Sequence, residues 1–184
     1  MPGILIAVIA ILVVVALWAV ATYNRLIGRR NRVDNAWSQV DVQLKRRWDL
    51  IPNVVETVKG YASHEQRTFE RVVQARNASQ AATTPVQQAG AENMLTGALR
   101  QLFAIAEAYP ELKASTNFSE LSAQLSETEN KVSVARQIYN DSVLTYNNAV
   151  QQVPSSIIAG LANFSTREFF DSPVAAEEAP RVQF

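Results

Sequence analysis

His64 is the single histidine in a chain of 184 residues, and there is no cysteine. Those counts narrow the available chemistry at once. Without cysteine there is no thiolate nucleophile, no disulfide and no cysteine-ligated metal. His64 stands three residues after Tyr61 and beside Glu65. A catalytic nucleophile needs a base within hydrogen-bond reach and a further group that orients the base, and no such set accompanies His64. On a helix it reads as a polar residue at a packed or solvated face. A carboxylate-bridged metal bundle needs Glu-x-x-His pairs from two helices, and the residue three before His64 is Tyr61 rather than an acid. Glu127, Glu129 and Asp141 supply carboxylates, yet Glu127 and Glu129 are two apart and face differently on a helix. Gly90 and Gly97 are seven apart, which suits close helix approach and not a phosphate-cradling loop. The residues therefore specify no catalytic site, no metal, no cofactor and no small-molecule substrate.

What remains is polar chemistry with positional meaning. Arg46-Arg47-Trp48-Asp49 precedes Pro52, and Arg76 and Arg136 each end an Ala-Arg pair. An arginine beside an apolar stripe can lay its stem along that surface with its head in water. The alternative is pairing with Asp49, Glu65 or Glu129 between helices, which would fix register. Tyr-Asn occurs at Tyr139-Asn140 and again at Tyr146-Asn147, seven residues on. Phe118, Leu121, Leu125, Thr128, Val132, Ala135, Tyr139, Ser142, Tyr146, Ala149 and Val153 follow one another at spacings of three and four. That period predicts one stripe of a long helix. Leu125, Val132, Tyr139 and Tyr146 are its seam, with Asn140 and Asn147 one step aside as amides that penalise mispairing.

The elements that position these groups begin with an anchor. Ile4 to Ala21 is a run of 18 residues without a polar side chain, twelve of them Leu, Ile or Val. At the helical rise the run spans about 27 Å, close to the hydrocarbon thickness. Insertion of the twelve is favoured by about 4–7 kcal/mol. Ile4, Leu12 and Val20 mark the span, and Arg29 and Arg30 mark its flank. Ala19-Val20-Ala21 admits a cleaved signal peptide as the rival, but no charge precedes the run and it is longer than a signal's apolar core. Arg25, Arg29, Arg30 and Arg32 follow at once, which places the N-terminus outside and the body in the cytoplasm. The expected location is the bacterial cell (inner) membrane, with a single pass.

Beyond the span the chain reads as helix. Val33, Trp37, Val40, Leu44, Ile51, Val54, Val58, Tyr61, Phe69 and Val72 keep mostly helical spacing from about residue 23 to 78. Pro52 predicts a kink or a restart. "ASQAATTP" predicts a loop, and Thr84-Pro85-Val86-Gln87 a helix start with a threonine cap and a proline in the first turn. That helix should run to about Tyr109 with Ala91, Leu95, Ala98, Leu102, Ile105 and Tyr109 on one face, broadened by Leu99, Phe103 and Ala106. The seam helix starts within "KASTN" and stops at Pro154, and "SSIIAGLANF" makes a short further helix. The fold class is all-α: a single N-terminal transmembrane helix, then an antiparallel bundle of long helices. The domains are an anchor over 1–24, a cytoplasmic bundle over 25–164 and an extended acidic tail over 165–184.

"LKRRWDLIPNVVETVKGYASHE", "AEAYPELKA" and "ETENKVSVARQIYNDSVLTYN", with "FF" and a short acidic tail, come in this order and together resemble the LemA family of bacterial membrane proteins. The likeness runs from Arg25 to the C-terminus. It implies one N-terminal transmembrane helix and a cytoplasmic bundle of long antiparallel helices. No enzymatic activity is established for that family, so the resemblance carries architecture rather than mechanism. Relatives associated with membrane-bounded organelles imply a part in membrane organisation.

Charge excludes one partner class. The chain has 17 basic and 17 acidic residues, without the concentrated basic surplus of a duplex-binding protein, so no nucleic-acid partner is expected. The leading reading is a non-catalytic, membrane-anchored scaffold or adaptor that self-associates. The alternative is a regulatory partner of a membrane protease or sensor, binding a membrane-protein client through its bundle or tail. An enzyme of unknown chemistry is the weakest reading. A second helix much shorter than the first would leave Val33, Trp37, Val40 and Leu44 poorly covered, and such a stripe predicts a homo-oligomer interface. Orientation has a direct check. A cysteine introduced at Ser155 should resist a membrane-impermeant thiol reagent in intact cells, and labelling before lysis would reverse the topology.

Overall fold

The computed structural model describes residues 2–170. Among them the chain forms helices α1 (Pro2–Lys59), α2 (Gln66–Ala81), α3 (Pro85–Glu107), α4 (Pro110–Lys113), α5 (Thr116–Gln151) and α6 (Ser155–Leu161), and no strand. The all-α expectation stands. The 14 residues from Asp171 on, most of the expected acidic tail, lie outside the described residues. The chain divides into two compact units. One holds residues 2–37 and 138–167, the other residues 38–137 and 168–170. The helices α1 and α5 contribute to both.

The larger unit is built on periodic apolar faces. Ile51, Val54, Val55 and Val58 of α1 join Phe69, Val72 and Ala75 of α2 in one core. Leu95, Leu99 and Leu102 of α3, Leu112 of α4, and Phe118 and Leu125 of α5 complete it. The α3 start is as its sequence predicts. Thr84 is extended, its hydroxyl accepts the Gln87 N–H, and Pro85 follows in the first turn. Three expectations differ from the structure. The first helix does not run on to residue 78: it ends at Lys59, and the stretch holding His64 is an exposed turn before α2. Residues Ala78 to Ala81 are the end of α2 rather than loop. Gly90 and Gly97 also mark no close helix approach, since a Cβ at either position would meet nothing within 4 Å.

Pro52 ends no helix: α1 continues through it. A proline has no N–H to offer the carbonyl four residues back, which here belongs to Trp48. The Arg76 Nε of α2 donates to that Trp48 carbonyl at 2.8 Å. A side chain from the next helix thus supplies the donor that the ladder lacks, and the gap becomes a docking point for α2.

The smaller unit pairs the start of α1 with the end of α5. Trp37 and Tyr139 meet at 5.1 Å between ring centroids, and Leu26 shares a small core with Ala149 and Ala159. The approach of residue 37 to 139 and of 26 to 149 is antiparallel. After α6, Asn163 is left-handed, with φ 56°, a conformation asparagine tolerates better than most side chains. The Phe164 N–H donates to Ala159 O at 2.9 Å and the Asn163 N–H to Gly160 O at 3.3 Å. These paired bonds satisfy carbonyls that a helix end otherwise leaves open. They also turn the chain so that Phe164 packs edge-on against Tyr23, 5.7 Å away.

Residues 164–170 then form a strap without helix. Phe170 is fully buried, with the Arg136 guanidinium 4.5 Å from its ring centre. The C-terminal segment folds back on its own chain as far as it is described.

A double-mutant cycle checks the role assigned to Arg76. Arg76→Met should cost about 1.5–3 kcal/mol in the native background, the range for a charged hydrogen bond. It should cost under about 1 kcal/mol beside Pro52→Ala, where an alanine N–H serves the Trp48 carbonyl. Urea unfolding of the four proteins in one detergent gives the coupling, and equal costs in both backgrounds would contradict it.

Candidate functional site

The densest polar cluster lies inside the larger unit and begins with a sequence anomaly. Leu26, Val33, Val40 and Val54 are buried at intervals of seven or fourteen along α1, and the position between the last two is Arg47. On α3, Glu92 is likewise in three-four register with the buried Leu95, Leu99 and Leu102. Each charge occupies a place where the pattern asks for an aliphatic side chain. The two meet: Arg47 Nη1 lies 2.5 Å from Glu92 Oε2, with side chains 3% and 2% exposed.

The rest of the cluster adds partners to this pair. Arg47 Nη2 donates to Thr96 Oγ1 at 2.8 Å and lies 2.6 Å from Glu129 Oε2 of α5. The second Glu92 oxygen accepts from Trp48 Nε1 at 3.1 Å and from the Ser79 hydroxyl. Gln88 Nε2 donates to Ser79 Oγ at 2.9 Å and Ser79 O at 3.1 Å. Four helices therefore converge on one carboxylate–guanidinium pair. Isolated burial of either ion would cost several kcal/mol, and only excellent geometry with added hydrogen bonds offsets this.

Could the cluster do chemistry? Ser79 donating to Glu92 has the outline of a nucleophile and its base. Ser79 is fully buried and Glu92 is 2% exposed, so no substrate carbonyl reaches the hydroxyl. The neighbouring groove holds about 180 Å³ and is lined by Leu99, Phe103, Leu125, Arg100, Glu129 and Asn130 among others. Within this setting Arg47 Nε and Ser122 Oγ have no hydrogen-bond partner among the described residues. No group of three or more His, Cys, Asp or Glu that could hold a metal occurs among the described residues. The arrangement is suited to fixing helices.

A second cluster holds the strap. Asn147 Nδ2 donates to Arg167 O at 2.9 Å, and its Oδ1 accepts the Arg167 N–H at 2.8 Å. One amide thereby binds both main-chain groups of one residue, as a neighbouring strand would. The Tyr146 hydroxyl donates to Ser165 O at 2.9 Å. Burial pushes the Tyr146 phenol above its usual range, while Arg167 and Arg30 pull it back. Arg167 also reaches Asp34 at 3.2 Å.

The LemA family model matches residues 36–184. This chain belongs to the LemA family. It is 26% identical over 140 residues to Protein LemA of Metamycoplasma hominis, covering 74% of this chain and 63% of that protein. Magnetosome protein MamQ 2 of Paramagnetospirillum magneticum is 24% identical, with 92% of this chain and 73% of the relative aligned. MamQ of Magnetospirillum gryphiswaldense is also 24% identical, over 84% of this chain and 66% of its own length. The LemA-family chain thus spans under two thirds of the mycoplasma protein.

The residues singled out from the sequence fall into distinct places in this LemA-family structure. Ile4, Leu12 and Val20 are exposed on α1, in the one described helix long and apolar enough to cross a membrane. Arg29 and Arg30 are half-buried beyond it, with the Arg30 guanidinium 5.6 Å from the Phe164 ring centre. Leu125, Val132, Tyr139 and Tyr146 are buried. The stripe is not the one expected throughout: Val143 is fully buried where Ser142 is half-exposed, and Val153 is 79% exposed. A true helix drifts about 20° per heptad against a strict seven-residue repeat, which moves the buried face by one residue. That drift buries Asn147 while leaving Asn140 half-buried. Asn147 is therefore a clamp on the chain's own strap rather than an amide paired across a helix seam. The expected exposed stripe needs correction as well. Val33, Val40 and Leu44 are at most 2% exposed in the single chain, and Trp37 is half-buried against Tyr139. Folding has already covered them.

The sequence points to Glu129 as an arginine partner, whereas Glu92 is identified only by the structure. Removing one partner of the buried pair leaves an uncompensated charge, so Glu92→Ala should cost about 3–5 kcal/mol. Arg47→Met with Glu92→Leu should recover most of that loss, because well-packed apolar replacements of a buried pair are often neutral. Thermal melts of the three proteins check this. A double variant no better than Glu92→Ala would place the stabilisation elsewhere in the cluster.

Proposed function

We propose that this chain is a non-catalytic, membrane-anchored helical scaffold that organises a membrane complex at the bacterial inner membrane. One observation carries the reading. The exposed apolar start of α1 and the buried Leu26, which packs with Ala149 and Ala159, belong to one unbroken stretch of helix in the smaller unit, so the anchor continues into that unit without a linker. Such a body is held at the bilayer by its own framework. The Arg47–Glu92 pair is buried among polar partners, which leaves recognition to the outer surface. Relatives named for the magnetosome support a role tied to a cellular structure rather than to a metabolite.

On this reading the body lies in the cytoplasm and Met1 outside, following the one-sided arginine cluster. Copies that associate in the membrane plane must do so through surfaces other than Val33, Val40 and Leu44, which each chain buries for itself. Cross-linking in native membranes, followed by affinity purification and mass identification, tests the proposal. A small, reproducible set of membrane proteins, this chain included, is the expected recovery. Recovery of the chain as an uncross-linked monomer alone would contradict a scaffold.

A further inference from the structure

The arginines after the span are not equivalent. Arg30 lies over Phe164, whereas Arg29 and Arg32 line a groove of about 220 Å³ in the smaller unit, opposite Ile138, Asp141, Ser142 and Thr145 of α5. Among the described residues neither Arg29 nor Arg32 has an ion pair or a hydrogen bond. The groove's hydroxyls have spent their protons: Ser142 donates to Ile138 O at 2.8 Å and Thr145 to Asp141 O at 2.9 Å. The guanidinium groups are left as its hydrogen-bond donors, and Asp141 is the acid that opposes them.

Position supplies the second observation. The apolar run ends at Ala21, so Arg25, Arg29 and Arg32 stand roughly 6, 12 and 16 Å further along the helix axis. The headgroup layer extends about 5–8 Å beyond the hydrocarbon on each side. Side chains on a helix lean toward its N-terminus, and here that direction is toward the bilayer. Long arginines can therefore reach back to the headgroups. Spacings of four and three put Arg25, Arg29 and Arg32 on one face, with a surplus of positive charge even after Asp141 is counted.

We propose that this groove binds the phosphate of an anionic phospholipid in the leaflet next to the bundle. The proposal rests on the membrane-anchor reading and adds a ligand to it. Arg29 and Arg32 form charge-assisted bonds to the phosphate oxygens, Arg25 completes the positive face, and Asp141 moderates affinity. The lipid then fixes the height and rotation of the bundle at the membrane surface, which a featureless apolar helix cannot do alone.

The test uses the full chain in bilayers of phosphatidylcholine with a minority of phosphatidylglycerol. Spin-labelled lipids report the preference of the protein for the anionic headgroup. With each arginine near the surface contributing about five-fold, Arg32→Gln should lower the preference by roughly that factor and Arg29→Gln with Arg32→Gln by more than ten-fold. Asp141→Asn, on α5 and away from the anchor, should raise it by about two- to five-fold. Arg30→Gln removes the same charge from a side chain engaged on Phe164 and should change it by less than about two-fold. Inorganic phosphate at constant ionic strength should displace the labelled lipid weakly. An unchanged preference in the double variant overturns the proposal, as does an Arg30→Gln effect equal to that of Arg32→Gln, or equal displacement by free phosphate. Retention in alkaline-washed vesicles is read for every variant, so failure of the anchor is distinguished from failure of the groove.

Discussion

A buried arginine facing a buried glutamate is the constraint around which the larger unit is arranged. Neither Arg47 nor Glu92 can stay charged in a core without the other, and neither can be satisfied by one partner alone. The requirement recruits Trp48 from α1, Ser79 from α2, Gln88 and Thr96 from α3 and Glu129 from α5. Each of these groups has one place on its helix from which it can reach the pair. Apolar faces of leucine and valine slide with modest loss, whereas a shift of one turn here would strand an ion. The network therefore selects one alignment among several that hydrophobic burial alone would permit.

Two further devices work in the same way, by giving a main-chain group a partner from another element. Pro52 opens the α1 ladder at Trp48 O and Arg76 closes it, so a local defect becomes an attachment for α2. Asn147 binds both main-chain groups of Arg167, so an irregular strap is fixed without strand pairing. Long helices with repetitive surfaces carry little information about their neighbours. Here that information resides in Arg47, Arg76 and Asn147, which are few and polar.

Much of the framework was legible in the sequence because it depends on periodicity. The apolar run from Ile4 to Ala21, the Thr84-Pro85 start and the buried face of α5 as far as Tyr139 all follow from spacing. The break after Lys59 was not legible, because Tyr61 and Phe69 kept the apolar pattern plausible across a turn, while Pro52 offered a more conspicuous breaker that the helix in fact tolerates. The candidate site was half visible. Arg47 and Glu129 could be paired from their types and helices, but Glu92 resembles any solvated acid until its register with Leu95, Leu99 and Leu102 is counted. The coverage of Val33, Val40 and Leu44 depended on where distant helices begin and end, which helix lengths alone misjudged.

The central claim is that the polar network fixes the alignment of the helices beyond whatever it adds to stability. Hydrogen exchange on the Arg47→Met, Glu92→Leu protein tests it most directly. If the claim holds, amides of α3 around Leu95 to Leu102 lose protection by about ten-fold or more through local slippage, even where global unfolding free energy is kept. Protection unchanged across α3 in a protein of undiminished stability would show that apolar packing alone sets the register, and would contradict the account.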